Sequence, residues 1–514
     1  MMRICLLVIS VTIMLAGDVV YAGDLHAPWA GSESIQSAQH RSKYLEDMEL
    51  VECDESPFFS DSAGLHTFIQ DACSSYHIPG VATWACKNGQ VIWQYCYGYA
   101  NIDDSIHVVD TTLFMLASIS KTFTATAIMQ LWERGVFDLD EDINGYLPFG
   151  VRNPNYPDSI ITFRMLMTHT SSIQDNWTVI DPLYVWGGDS PIPLGSFLED
   201  YLISGGAYYD SAANFHTWPP GSTYDYCNIA VALLGYLVEE MADSFPVYCQ
   251  DSIFDPLSMN ETSWFLAGLD TNNIAVPYHW NGSYYLPYQH YGYPDYPDGQ
   301  LRTSAPQLAR HLMMFMQYGM IDTVRILDST TVDLMRTIQH QVSPEWFYGL
   351  IWYYALVGGR WLWGHGGSDW GVSTVAAFCP AESSAVIVLT NGEAGPGTNM
   401  IMHALFDYAQ QYGIEEHESS RANVVTLQIS PNPFRYATII RYMIHDSGYR
   451  IHDTNIKIFD ATGRLVKDFG LLSNQSSVKW DGSDHDNCRL SSGVYFLELQ
   501  TGDYIATQEL LLIR

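Results

Sequence analysis

A chain of 514 residues with 57 acidic against 23 basic side chains, and a formal net charge of −34, lacks the basic surface that nucleic acid demands, so no nucleic-acid partner is expected. A hydrophobic fraction of 47% with 14% aromatics argues against a disordered chain and supplies apolar surface for two or three domain cores.

Arg3 precedes the apolar run ICLLVISVTIMLA, which is too short to span a bilayer, and the small residues ending at Ala22 suit cleavage. Residues 1–22 therefore read as an export signal, with a buried strand as the alternative. Residues 23–60 are polar and acidic and read as a leader. Of the nine cysteines, Cys5 falls in the signal, and eight in so long a chain do not make a disulfide scaffold. No CxxC, HExxH or EF-hand spacing occurs, so neither a metal nor a cofactor is expected.

A helix is predicted from about Ser62 to Tyr76, stopped by HIPG. GVATWACKNGQVIWQYCYGYAN then gives two strands turning at Asn88-Gly89. In that register Cys86 faces Val91 and Cys96 faces Val81, on opposite sheet faces, and the two are not expected to bond.

From Thr111 to Trp132 the only charged residue is Lys121. Leu116, Ile119, Phe123, Ala127 and Leu131 recur at helical spacing, and Gly135 is a natural stop. Ser118 and Lys121, three apart, share another side, where Ala125 and its small neighbours leave room for an approaching group. A serine hydroxyl is a poor nucleophile until a neighbour takes its proton. A lysine does so only when neutral, which means lowering its pKa by about 3 units through desolvation and cationic neighbours. SxxK is frequent by chance, and a snorkelling lysine beside an incidental serine is the competing reading.

Further along, Tyr226 and Asn228 form a Y-x-N before another helical run. Pro277 to Gly299 is dense in tyrosine and proline, either an aromatic wall or an ordered surface loop. His365-Gly366-Gly367 falls at a strand where absent side chains let a backbone approach a ligand. Cys227 is expected to pack. Strands at both ends with helices between suggest one mixed sheet built from distant segments.

The acidic excess stops near GIEEHESSRAN, a linker. Beyond it short alternating runs such as NIKIFD and GVYFLEL, with turn signals between, read as a small β-sandwich. Pro431 and Pro433 open an edge, Gly463 makes a hairpin turn and Gly493 precedes the last strands.

SxxK, Y-x-N and HGG in this order, with ITFRMLMTHTSSI, IFDPLSM, RTSAPQLARHLMMFM and IVLTNG, resemble the serine β-lactamase and penicillin-binding-protein superfamily in its class C-like branch, over roughly Asp61 to Gln411. The resemblance implies an antiparallel sheet flanked by helices, plus a helical subdomain. It implies Ser118 as the acylated nucleophile, Lys121 as its proton acceptor, and Tyr226 assisting proton transfer at the leaving group. Asn228 would hold the substrate amide, with Gly366, Gly367 and Ser368 at the binding edge. The backbone N–H groups of Ser118 and Ser368 would form the oxyanion hole. His365 stands where dedicated β-lactamases usually have lysine, which implies a weaker, pH-dependent anion anchor. Ser172 and Ser258 stand where glycine is usual.

The implied substrate is a D-amino-acid peptide or an ester, as in D-alanyl-D-alanine carboxypeptidases and esterases. A true β-lactamase and a catalytically silent peptidoglycan receptor are the alternatives. Residues 428–514 resemble the FlgD-like and type IX sorting domains, immunoglobulin-like sandwiches ending secreted bacterial proteins, which implies the secretion machinery as a partner and an exported chain. The expected divisions are 1–22, 23–60, 61–413, 414–427 and 428–514.

Overall fold

The structure is a computed structural model that describes residues 62–415, 425–444, 454–460, 464–471, 477–486, 488–501 and 504–513. The expected signal, the leader and the Gly463 turn lie outside the described residues. The chain divides into two compact units, parting between Gln410 and Gln411.

The first unit is built on a nine-stranded sheet. Numbering its strands alone, these are β1 (Gly80–Lys87), β2 (Gln90–Asn101), β3 (Ile106–His107), β4 (His340–Ser343), β5 (Trp346–Tyr348), β6 (Tyr353–Val357), β7 (Arg360–Asp369), β8 (Val372–Cys379) and β9 (Ser384–Thr390). They lie in the order β4-β5-β6-β7-β8-β9-β1-β2-β3. Distant segments of the first unit, some 300 residues apart, meet where β1 pairs with β9. Every pairing is antiparallel, so the sheet is not mixed as the interleaving with helices suggested.

Both faces of the sheet are covered, which is why the central strands read as continuous apolar runs. Val81, Ala85, Val386 and Val388 pack with Leu65 and Ile69 of helix α1 (Ser62–Ser75). Ala82, Trp84, Ile387 and Leu389 face the opposite cluster. That cluster includes helices α2 (Ser120–Glu133), α3 (Asn228–Ala242) and α4 (Ala305–Met316).

The β1–β2 turn forms at Asn88 (φ 51°) and Gly89 (φ 78°), the left-handed pair that a type I′ hairpin requires. A bulge between Ala85 and Cys86 changes the expected register. Cys86 does pair with Val91, but Cys96 pairs with Ala82 rather than Val81. One extra residue moves everything beyond it to the other face. Cys86 and Cys96 therefore pack toward the same cluster, not opposite ones. They remain unbonded, as expected, because four residues of strand separate their positions.

The serines at the two glycine-typical positions are both left-handed, Ser172 at φ 63° and Ser258 at φ 56°. A side chain there costs about 1 kcal/mol relative to glycine. Ser172 offsets this by accepting a hydrogen bond from Asn153 Nδ2 (2.9 Å) inside the core. Ser258 is exposed at the end of IFDPLSM. Ser258→Gly is thus expected to raise the melting temperature by about 2 °C, and Ser172→Gly to give no gain. Differential scanning calorimetry of both variants checks this, and a stabilised Ser172→Gly alone would contradict it.

In the second unit, a three-stranded and a four-stranded antiparallel sheet share one core around Phe434, Ile440, Ile458, Trp480 and Leu497. This is the small all-β sandwich expected. Gly493 opens the strand Gly493–Thr501.

Candidate active site

Ser118 does not lie inside the predicted helix. Residues Ala117–Ile119 form a 3₁₀ turn, and α2 starts only at Ser120. Ala117 has a φ of 48°, a left-handed conformation costly for alanine, which breaks the helix before the serine. The neighbouring strand over-determines this bend. A Cβ on Gly367 of β7 would sit 2.2 Å from the Leu116 carbonyl oxygen and 3.2 Å from Ala117 Cβ. The absent side chain therefore admits the protein's own serine-bearing turn, not only a ligand. Thr374 Oγ1 donates to the same Leu116 oxygen at 2.7 Å.

Lys121, fully buried, donates from Nζ to Ser118 Oγ (3.0 Å), to the Asp298 carbonyl oxygen (2.8 Å) and to Asp298 Oδ2 (3.2 Å). An ammonium has three N–H groups, and all three are engaged. The small-residue face expected to be open is closed instead: Ala125 is fully buried, and Thr124 donates to the Pro297 oxygen at 2.7 Å. The electrostatics also reverse the expectation. Burial pulls the Lys121 pKa down, but Tyr226 and the Asp298 carboxylate outweigh it, and the net shift is upward. Lys121 rests as a cation. Burial raises the Asp298 carboxyl while Lys121 pulls it down, and burial wins.

Tyr226 comes to this point through the HTSS segment. His169 accepts from Asp225 N through its carbonyl oxygen (2.9 Å) and from Cys227 N through Nδ1 (3.1 Å), and its ring lies 4.4 Å from that of Tyr226. The Tyr226 ring stands 5.1 Å from Lys121 Nζ. Its buried hydroxyl interacts with Lys121 and Ser118 but has no partner at hydrogen-bond distance. Burial raises its pKa despite Lys121, so it rests as a phenol.

Asn228 opens α3, and Asp175 fixes it by accepting from Asn228 N, Asn228 Nδ2 (both 2.9 Å) and Ile229 N (3.1 Å). Cys227 is buried and caps the helix, packed as expected.

His365, 3% exposed, donates from Nδ1 to the Gly366 carbonyl oxygen at 2.7 Å. Burial and the Lys121 ammonium push its pKa down to about 3. It is neutral at pH 7, so the anion anchor titrating near neutrality that residue type suggested is not what the fold makes of it. The tautomer that donates from Nδ1 leaves Nε2 an acceptor, and Nε2 has no protein partner.

Ser118, Tyr226, Asn228, His365, Gly366 and Ser368 all line one cleft of about 390 Å³. Lys121 stands behind Ser118, and Gly367 serves the serine turn. Tyr293, Asp295, Asp298 and Gly299 line it too, so the end of the tyrosine-proline stretch is a wall of the cleft. Asp175, Asp295, Asp298 and Asp369 are among the cleft residues that motif reading missed. The acidic YPDYPDG was a visible signal for Asp295 and Asp298, whereas Asp175 and Asp369 had none.

Residues 62–407 match the family described as Beta-lactamase, and residues 428–513 the one described as Secretion system C-terminal sorting domain. Protein flp of Staphylococcus aureus (strain NCTC 8325 / PS 47) is 28% identical over 222 residues, 43% of this chain and 41% of flp. The match thus spans about two fifths of that relative's length. Among solved structures, the octameric penicillin-binding protein homologue from Pyrococcus abyssi superposes with a TM-score of 0.57 at 21% identity, over 87% of this chain and 100% of that one. The D-amino acid amidase from Ochrobactrum anthropi SV3 gives 0.56 at 18%, over 69% and 99%. At such identities these two share the fold.

Proposed function

The chain belongs to the Beta-lactamase family and carries a secretion-system sorting domain, and from that premise we propose that it is an exported serine hydrolase that cleaves an amide or ester through an acyl-enzyme on Ser118. The observation carrying this reading is the 3.0 Å contact of Lys121 Nζ with Ser118 Oγ at the floor of the cleft.

Lys121 rests protonated, so it must lose a proton before it can accept one from Ser118. Asp298 Oδ2, 3.2 Å away, is the acceptor. Moving the proton within this buried pair converts ammonium and carboxylate into amine and acid, which leaves the net charge at zero and removes the separated charges from the low-dielectric interior. The amine then takes the Ser118 proton as Oγ attacks the carbonyl carbon. The carbonyl oxygen becomes an oxyanion facing the backbone N–H groups of Ser118 and Ser368, each such donor being worth about 10²–10³ in rate. Tyr226, between Lys121 and the cleft, carries the proton to the leaving group, and water reverses the sequence to release the acid.

With His365 neutral, the fixed cation that a dedicated β-lactamase offers a substrate carboxylate is absent from position 365, which favours an amidase, peptidase or esterase. Intact mass after exposure to an activated ester and to a fluorescent penicillin tests the reading. An acyl increment mapping to Ser118 is expected, larger with the ester. No increment and no turnover would favour the silent receptor.

The sorting role gives a separate expected result. A chain ending near Arg421 keeps the first unit whole and should hydrolyse a small ester with nearly the full-length kcat. In the native host it should stay in the periplasm. Ester kinetics and cell fractionation check the two halves. An inactive truncation would make the sandwich part of the catalytic fold, and an active one still reaching the surface would refute the sorting role.

A further inference from the structure

The cleft around Ser118 has an acidic wall. Asp295, Asp298 and Asp369 lie on it, and no lining residue among the described residues is Lys or Arg. The Lys121 ammonium, behind the serine, offsets Asp298 but neither Asp295 nor Asp369. Two buried acceptors there have no protein partner: His365 Nε2, on a residue 3% exposed, and Asp298 Oδ1, on a residue 7% exposed. Beside them stand two tyrosine rings, Tyr184 and Tyr293, with centroids 4.8 Å apart. Tyr184 donates its hydroxyl to Asp369 at 3.2 Å, which turns the aspartate and the ring into one surface. Tyr293 packs with Ala117, the residue before the nucleophile.

Carboxylates next to aromatic faces bind an ammonium through charge and cation–π attraction, and they repel a carboxylate. Buried acceptors without partners call for a ligand that donates, because an unmet buried acceptor costs about 1–3 kcal/mol. The wall adjoins the serine turn through Ala117, so the charge it meets is close to the carbonyl under attack.

We propose that this cleft selects substrates with a protonated amine next to the scissile carbonyl, the amides, esters or N-terminal peptide bonds of amino acids, over substrates recognised by a carboxylate. The proposal rests on the acyl-enzyme reading for its chemistry, and its recognition step can be measured without turnover.

The measurement is calorimetry on the Ser118→Ala protein at pH 6.5, comparing alaninamide with N-acetylalaninamide in both hands. The free amine should bind at least tenfold tighter, and Asp369→Asn in that background should bring the ratio toward one. Asp295→Asn is the second variant if Asp369→Asn does not fold. In the wild-type protein, kcat/KM for alanine p-nitroanilide should exceed that for its N-acetyl derivative by at least tenfold. No preference for the free amine in binding or in kcat/KM overturns the proposal, as does tighter binding of N-acetylalanine through its carboxylate. Turnover retained by Ser118→Ala would instead sink the acyl-enzyme while leaving the binding comparison standing.

Discussion

Ser118→Ala is expected to lower kcat for a p-nitrophenyl ester by about 10⁴-fold or more and to abolish covalent labelling. The loss is large because Ser118 Oγ is the atom that bonds to the substrate and the one to which Lys121 Nζ donates at 3.0 Å. Folding should be untouched. Ser118 Oγ accepts one bond, from Lys121, whose ammonium keeps both Asp298 contacts. The near- and far-ultraviolet circular dichroism should therefore match the parent. Unchanged turnover in this variant would sink the mechanism, whereas lost turnover with lost dichroism would indicate misfolding and call for Ser118→Cys in its place.

Lys121→Met should be nearly as damaging to catalysis, by about 10³-fold or more, because a serine with no proton acceptor gains little from its oxyanion hole. Unlike the serine change, it should also destabilise the fold. Lys121 is fully buried and its carboxylate partner nearly so. Removing one member of a buried pair costs about 3–5 kcal/mol, since it strands the other charge.

The sign of the pH dependence follows. Without the ammonium, the folded-state pKa of Asp298 rises further above its unfolded value, so the folded state holds the extra proton. The penalty is then largest at alkaline pH and shrinks as pH falls and the carboxyl protonates. Adding Asp298→Asn to Lys121→Met removes the stranded charge and should restore much of the stability but none of the activity. Asp298→Asn alone should lower the Lys121 pKa, because burial then acts with less opposition. In the parent, protonating Asp298 removes the acceptor and sets the acidic limb of kcat/KM. In Asp298→Asn the limb is set by Lys121 itself, so it should move to higher pH and kcat/KM near neutrality should fall. A limb that stays in place would remove Asp298 from the proton path, and a Lys121→Met protein as stable as the parent would show that the pair is not buried in solution.

Some of this was legible in the chain. The order SxxK, Y-x-N, HGG identified the family because motif spacing is a property of sequence alone, and the hairpin at Asn88-Gly89 followed from the two residue types that tolerate left-handed backbone. The alternating runs after the linker gave the all-β tail, since a half-buried strand writes its period directly into the residues.

What failed depended on neighbours distant in the sequence. The register beyond Cys86 turned on a single bulge that no local propensity marks. Ser118 left the predicted helix because Gly367, some 250 residues later, lets a strand press against its turn. The chemistry of the site diverged most. A lone lysine in an apolar helix suggested a lowered pKa, yet the Asp298 carboxylate, delivered by an acidic loop 177 positions away, raises it. A histidine suggested a switch near neutrality, yet burial against that same lysine keeps it neutral. Sequence by itself determined which chemical groups this protein has and the backbone each prefers, because those are local properties of residue type. Tertiary structure decided their charge states, because a pKa is set by the dielectric and the charges within a few ångströms, and here those come from segments that only folding brings together.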